Sequence, residues 1–480
     1  MLRLSFNLAI CLVLTSCASY VLNQPLSKYD SKAGYRFPDA AKLISNDESN
    51  SDSLFICLAF SGGGTRAAAF AYGVLEMLRN TTISWEGKTH SLLEEVDCIS
   101  GISGGSFTAA YYGLFGDRIF QDFRERFLDR DIQDELVGLA LNPLNWPRLA
   151  SPKFNRIDLA TELYNETIFD QKTFDDLGQR GKRPFIILNA TNLASGERFE
   201  FTQEQFDFLG SDLGKLPVAR AVSASSAFPF LLSPVTLKNY PQTKGFSRPK
   251  DIEKGLENYD YNRRLWHWAF RYNEYLDKNE RPYVHLMDGG LSDNIGMRAL
   301  ENDYRRSGGF IRERMEIAKN SPNNKNGIKK LIFIVANART DSQDKISKED
   351  VPPELTEVGF KTATISLDNY SFETIESMRD LFKQRKQTQQ TWADCNDKLK
   401  QCPSPQPLIP LTREIEPIFI DLSFEALPDP ALRKELLNMP TSFTLPKEAV
   451  NNLIRASGEL LENSPAFQTL KKDLQRTNTK

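Results

Sequence analysis

The sequence is poor in histidine and cysteine, carries no excess of either charge, and has no second long apolar run after its N-terminus. Only His90, His267 and His285 occur in 480 residues, which constrains any catalytic chemistry that needs a proton acceptor. Six cysteines spread over this length exclude a disulfide framework. With 60 Lys+Arg against 63 Asp+Glu, the chain lacks the basic surplus of a nucleic-acid binder. Glycine (27) and proline (25) are too few for a low-complexity chain. What is present is ordinary globular material, 40% hydrophobic and 26% charged, long enough for a sizeable core.

The N-terminus reads as an address. Arg3 precedes an apolar run from Leu4 to Leu14 that is too short for a membrane-spanning helix, which needs about 20 residues, and has the length of a signal-peptide core. The following Leu14-Thr15-Ser16-Cys17 resembles a bacterial lipobox, in which the signal is removed before an acylated cysteine. That likeness implies a signal peptide over 1–16 and lipidation at Cys17. It also implies a location in the bacterial cell envelope, with Ala18 and Ser19 resembling outer-membrane rather than inner-membrane signals. Residues 17–50 are then a tether and lead-in, the run from Ala18 to Asp30 showing no helical or strand period.

A continuous apolar run from Leu54 to Phe60 and strand-like, largely apolar runs at Glu95 to Ser100, Pro184 to Ala190, Val284 to Met287 and Lys330 to Ala336 mark a buried sheet. Helical segments follow the first two, over Ala67 to Arg79 and Ser106 to Phe115. Such alternation predicts an α/β fold, a mainly parallel sheet covered on both faces. Cys57 and Cys98 fall in the apolar runs and read as buried thiols, whereas Cys395 and Cys402 flank a polar segment and can pair in an oxidising compartment. The aromatic, charged stretch at 238–282 reads as an insertion, either a lid or a surface subdomain. Residues 341–480 read as a mostly helical extension. Val450, Leu453, Ile454 and Leu460 are spaced for one amphipathic helix, and the last ten residues are polar and expected to fray.

Three motifs carry chemistry. Gly101-Ile102-Ser103-Gly104-Gly105 fits G-x-S-x-G, a sharp strand-to-helix turn that exposes a serine hydroxyl at the top of a sheet. Ser61-Gly62-Gly63-Gly64-Thr65-Arg66 is a glycine-rich loop between a strand and a helix. It lacks the lysine of a phosphate-binding G-x-x-x-x-G-K-[ST] loop, and its backbone amides suit an oxyanion hole. Arg66 beside it is a candidate contact for a phosphate head group. No histidine stands in a triad context, while Met287-Asp288-Gly289-Gly290 puts a carboxylate at a strand end, where a base for Ser103 belongs.

In this order the motifs resemble the patatin-like phospholipase family, as does the block Ala224-Ser225-Ser226-Ala227-Phe228-Pro229-Phe230 running on to Pro234-Val235. The resemblance covers about residues 54–340. It implies a three-layer α/β/α catalytic domain over 51–340, Ser103 as nucleophile and Asp288 as its base. Gly62, Gly63, Gly64 and Thr65 are then the oxyanion hole, and neither a metal nor an organic cofactor is implied. Ser61 and Ala67 depart from the commoner Asp and Gly of that loop and look more like the cytosolic phospholipase A version. The implied substrates are membrane phospholipids or other acyl esters, with release of fatty acid. Acyl transfer on the same dyad, lipid binding without catalysis, and nucleotide binding by the glycine loop are the rival readings.

Overall fold

The apolar runs become a single mixed sheet in the computed structural model, which describes residues 18–37, 50, 51, 53–180, 183–229, 231–306, 309, 311, 328–341, 350–404 and 415–476. Its strands are β1 (Leu54–Phe60), β2 (Val96–Ile102), β3 (Phe185–Asn192), β4 (Arg198–Glu200), β5 (Val235–Lys238), β6 (Tyr283–Asp288), β7 (Lys330–Asn337) and β8 (Glu416–Ser423). They lie in the order β8-β7-β1-β2-β3-β6-β5, with β4 folded back on β3. The five from β8 to β3 are parallel. β1, β2, β3 and β7 are buried along their whole length, as strands covered on both faces must be.

The helices that matter for the site are α1 (Gly64–Asn80), α2 (Gly104–Phe115), α3 (Val218–Ser225), α4 (Arg263–Glu274), α5 (Met297–Arg305), α6 (Leu355–Lys400), α7 (Lys447–Asn463) and α8 (Pro465–Arg476). α1 packs against both α2 and α7, while α5 and α6 form a second group that reaches β2 and β8. The sheet between them gives the expected three-layer α/β/α arrangement.

The mainly parallel sheet is as expected, and four features add to the sequence expectations or change them. First, β6 is antiparallel to both β3 and β5. Apolar periodicity identifies a strand but not its direction. Second, the C-terminal part is not an appendage. β8 extends the sheet beyond β7, and its alternation of buried and half-buried residues is the signature of a strand with one face partly open. The amphipathic helix is present as α7, with Val450, Leu453 and Leu460 buried, but α8 continues to Arg476 and buries Leu474, so the chain does not fray from 471.

Third, Cys57 and Cys98 are not separate thiols. They are register partners on the parallel strands β1 and β2 and are joined by a disulfide, whereas Cys395 and Cys402 are unpaired. Fourth, Ala18 to Asp30 is docked rather than free. Ser151 Oγ donates to the carbonyl of Ala18 at 2.5 Å, and the Tyr20 amide donates to Lys153 O at 2.7 Å. Gln24–Pro25 pairs with Ser211–Asp212, and Asn23 Nδ2 bonds Ser211 Oγ and Lys238 O. A short extended segment that satisfies its polar groups on a neighbour's edge has no periodicity of its own to find. Residues 1–17, with Cys17, lie outside the described residues.

The insertion at 238–282 is a pair of packed helices, Lys250–Leu256 and α4. Trp266 stacks on Phe270, and the Arg306 guanidinium lies 4.1 Å from the Trp268 ring centre. Tyr272 and Tyr275 anchor the pair edge-on against Phe208 and Phe199.

Candidate active site

The site forms where β1, β2 and β6 end together. β2 delivers Ser103 at its carboxyl end, and α2 begins at the next residue. The serine takes φ 47° and ψ −118°, a conformation that costs an L-residue of order 1–3 kcal/mol and persists only where the surroundings enforce it. Here the surroundings are close. A Cβ at Gly104 would collide with the carbonyl oxygen of Gly64, so the elbow and the glycine loop lie backbone to backbone. The Ser103 amide is held by Ser225 Oγ at 2.9 Å, from the last residue of α3.

Asp288 approaches from the opposite direction. Because β6 runs antiparallel to β3, it starts beyond the end of β3 and descends until Asp288 stands opposite Ala190. In the neighbouring pair, Asn189 stands opposite Ile102. The aspartate therefore arrives level with the serine. Ser103 Oγ donates to Asp288 Oδ2 at 2.9 Å, and the Gly290 amide donates to Oδ1 at 2.8 Å. The backbone of Asp288 is pinned as well: its amide donates to Ala227 O and its carbonyl accepts from Thr191 Oγ1. Ser225 and Ala227 thus give the block Ala224–Pro229 a job, fixing the backbones of Ser103 and Asp288 from one turn. Its sequence offered no chemical reason to suspect this.

Burial pushes the Asp288 carboxyl up from its ordinary range to about 7, against the lowering effect of the Gly290 and Ser103 hydrogen bonds. Ser103 is itself only 7% exposed, so water is largely excluded from the pair. None of the histidines bonds to Ser103 or Asp288: His90 pairs with Glu95, His267 with Glu197, and His285 with Thr236.

The glycine loop divides its amides. Gly62 N–H donates to Asn294 O at 2.8 Å and Thr65 N–H to Ser442 O at 2.8 Å. Both are therefore already used, and neither amide is open to an oxyanion. Gly63 and Gly64 have amides without a partner among the described residues, as does Gly104 at the first position of α2. An oxyanion hole built from Gly63, Gly64 and Gly104 is the arrangement the geometry allows. It sits at the N-termini of α1 and α2, where the helix dipoles favour negative charge. Gly104 was absent from the sequence reading, although the amide after an elbow nucleophile is a recurrent donor.

Arg66 does not face this opening. It is buried, and its guanidinium donates to the carbonyls of Ala338 at 2.9 Å and Met439 at 2.7 Å and to Thr441 Oγ1 at 3.2 Å. A head-group contact is thereby replaced by a clamp between α1, the end of β7 and the 439–442 loop.

A family model for patatin-like phospholipases matches residues 58–300, just over half of the chain. The chain belongs to the patatin-like phospholipase family. No curated protein matches it. Among solved structures it is similar to human GIVD cytosolic phospholipase A2, at 15% identity over 91% of this chain and 66% of that one, with a TM-score of 0.45. The same human protein in complex with methyl gamma-linolenyl fluorophosphonate matches at 14% identity over 91% of this chain and 63% of that one, TM-score 0.37. VipD from Legionella pneumophila matches at 12% over 93% and 73%, TM-score 0.23. The chain thus spans about two thirds of the length of the human structures.

Proposed function

We propose that the protein is a lipid acyl hydrolase of phospholipase A type that works through a Ser103–Asp288 dyad and an acyl-enzyme. The 2.9 Å hydrogen bond from Ser103 Oγ to Asp288 Oδ2, on a strained elbow beside unbonded amides, carries the reading. Asp288 accepts the hydroxyl proton as Oγ attacks the ester carbonyl. The developing oxyanion is met by the amides of Gly63, Gly64 and Gly104. Collapse breaks the carbonyl–oxygen bond to the leaving alcohol, which takes the proton back from Asp288. Water, deprotonated by the same carboxylate, then attacks the acyl-enzyme; the bond to Oγ breaks, the fatty acid is released, and Ser103 Oγ takes the proton back from Asp288. Membership of the family supports a lipid ester as substrate.

We also propose that Cys17 is acylated and holds the enzyme in the bacterial envelope, at the outer membrane. The lipobox-like Leu14 to Cys17 supports this, and no helix among the described residues is long and apolar enough to cross a membrane.

The test uses wild type and Ser103→Ala with mixed phospholipid vesicles, products being counted by mass spectrometry. Fatty acid and lysolipid from the wild type alone, with fluorophosphonate labelling lost in Ser103→Ala, is the expected result. Equal release by both proteins refutes the dyad. Release only when an alcohol is added makes the enzyme an acyltransferase.

A further inference from the structure

We infer that residues 132–151 form a membrane-docking surface that lays the mouth of the active site on a lipid bilayer. The segment comprises a helix at Ile132–Leu141, a turn at Pro143–Asn145 and a short helix at Trp146–Leu149. Ile132 is buried, which fixes the segment to the body of the protein. The other side is bare: Val137 is 50% exposed, Leu141 67%, Leu144 82% and Trp146 57%. Val137 and Leu141 are four apart and share a helix face, and the turn brings two more large apolar groups within five residues. Isolated exposed hydrophobics are common, but four together on one surface element mark a contact surface.

Two connections say that the contact is a bilayer. At one end of the segment, Ser442 Oγ donates to Gln133 Oε1 at 3.0 Å, and the backbone of the same Ser442 accepts the Thr65 amide and abuts Gly64. The first turn of the segment is therefore tied to the glycine loop through one residue. At the other end, Ser151 Oγ holds the carbonyl of Ala18, next to the cysteine read as lipidated. The chain thus enters the fold beside the bare surface, and an acyl anchor at Cys17 puts that surface against the lipid headgroups. A tryptophan among leucines suits this depth, where an amphipathic ring sits between headgroups and acyl chains. The inference rests on the lipid-hydrolase reading for its purpose, but its test does not depend on turnover.

Full-length protein is bound to phosphatidylethanolamine–phosphatidylglycerol vesicles whose acyl chains carry bromine, which quenches nearby tryptophan. The expected result is quenching in the wild type that is mostly lost in Trp146→Phe and retained in Trp266→Phe, a change in the helix pair of the insertion. Quenching that survives Trp146→Phe overturns the inference, whatever the activity. A second variant, Leu141→Ser with Leu144→Ser, alters only exposed side chains. It should lower vesicle hydrolysis at least fivefold through a raised apparent KM, with turnover of a soluble short-chain ester unchanged. Equal loss on both substrates would contradict docking. A change from dimer to monomer in this variant, with vesicle binding intact, would assign the surface to a second copy of the chain and also overturn the proposal. Failure of the hydrolase reading is recognised separately, as ester turnover that does not require Ser103.

Discussion

Replacing Asp288 with asparagine should destroy activity and yet stabilise the protein, by an amount that depends on pH. The folded carboxyl holds its proton up to about pH 7, whereas an ordinary aspartate releases it near 3.8. Between those values the folded chain binds more protons than the unfolded one. Stability therefore falls as pH rises from about 4 to about 7, and is level above that. At about 1.4 kcal/mol per pKa unit, the whole window costs on the order of 4 kcal/mol, of which roughly 3 falls between pH 5 and 7. Asparagine keeps the shape and the acceptor for Gly290 but has no proton to lose, so it escapes the cost. Unfolding entropy near 2 cal/mol/K per residue gives roughly 1 kcal/mol per degree for a chain of this length, so the melting temperatures should differ by about 1–2 °C at pH 5 and by about 4 °C at pH 8. Over the same window, wild-type kcat/KM should fall about tenfold per pH unit below 7, because only the ionised carboxylate can take the serine proton. Thermal scans and initial rates across pH 5 to 8 check both. Parallel melting curves for the two proteins, or a kcat/KM that is flat down to pH 5, would refute the argument that one buried carboxylate governs both properties.

Other consequences follow from the same geometry. Gly104→Ala drives a methyl into the Gly64 carbonyl and must displace the oxyanion loop. Turnover should fall by about 10²–10³, the effect of losing one oxyanion donor, and fluorophosphonate labelling of Ser103 should slow in step. Arg66→Ala leaves the buried Ala338 and Met439 carbonyls short of a donor, at about 1–3 kcal/mol each. It should lower the melting temperature and slow phospholipid and neutral-ester hydrolysis alike. A loss confined to phospholipid would restore the head-group role. The Cys57–Cys98 disulfide closes a separation of 41 residues, for which chain entropy gives about 4 kcal/mol. Cys57→Ala with Cys98→Ala should show that loss in denaturant titrations, and free thiols in the untreated protein would remove its basis.

The centre of the sheet was legible because β1 is an unbroken apolar run and β3 and β7 carry apolar stretches of strand length, Phe185 to Leu188 and Leu331 to Ala336. Ser103 and the glycine loop were legible because tight turns between strand and helix demand glycine at recognisable spacings. Asp288 was found for an incomplete reason. The sequence placed it at a strand end, but only the antiparallel course of β6 brings that end level with Ser103. β8 escaped notice because Pro417, Asp421 and half-buried neighbours break the apolar run that marked the central strands. The division of amides within the loop was beyond reach. It depends on Asn294 and Ser442, whose backbone carbonyls consume Gly62 and Thr65 and carry no side-chain signature.

That dependence changes what the C-terminal part is for. The 439–442 loop accepts from Thr65, is gripped by Arg66 and presses on Gly64, all at the first turn of α1. α7 packs along the same helix and Ser457 Oγ sits where a Cβ on Gly73 would fall, so helix and loop together set the position of α1 relative to β1. β8 in turn holds β7, whose Ala338 neighbour carries the other end of the Arg66 clamp. All of these lie beyond residue 300, where the family match ends. Ser103 and Asp288 both lie within the matched residues. Of the loop amides, Gly62 is taken by Asn294 from within the match, whereas Thr65 is taken and Gly64 abutted by Ser442 from the segment that follows it. A change in that segment can therefore move the glycine loop without touching Ser103 or Asp288.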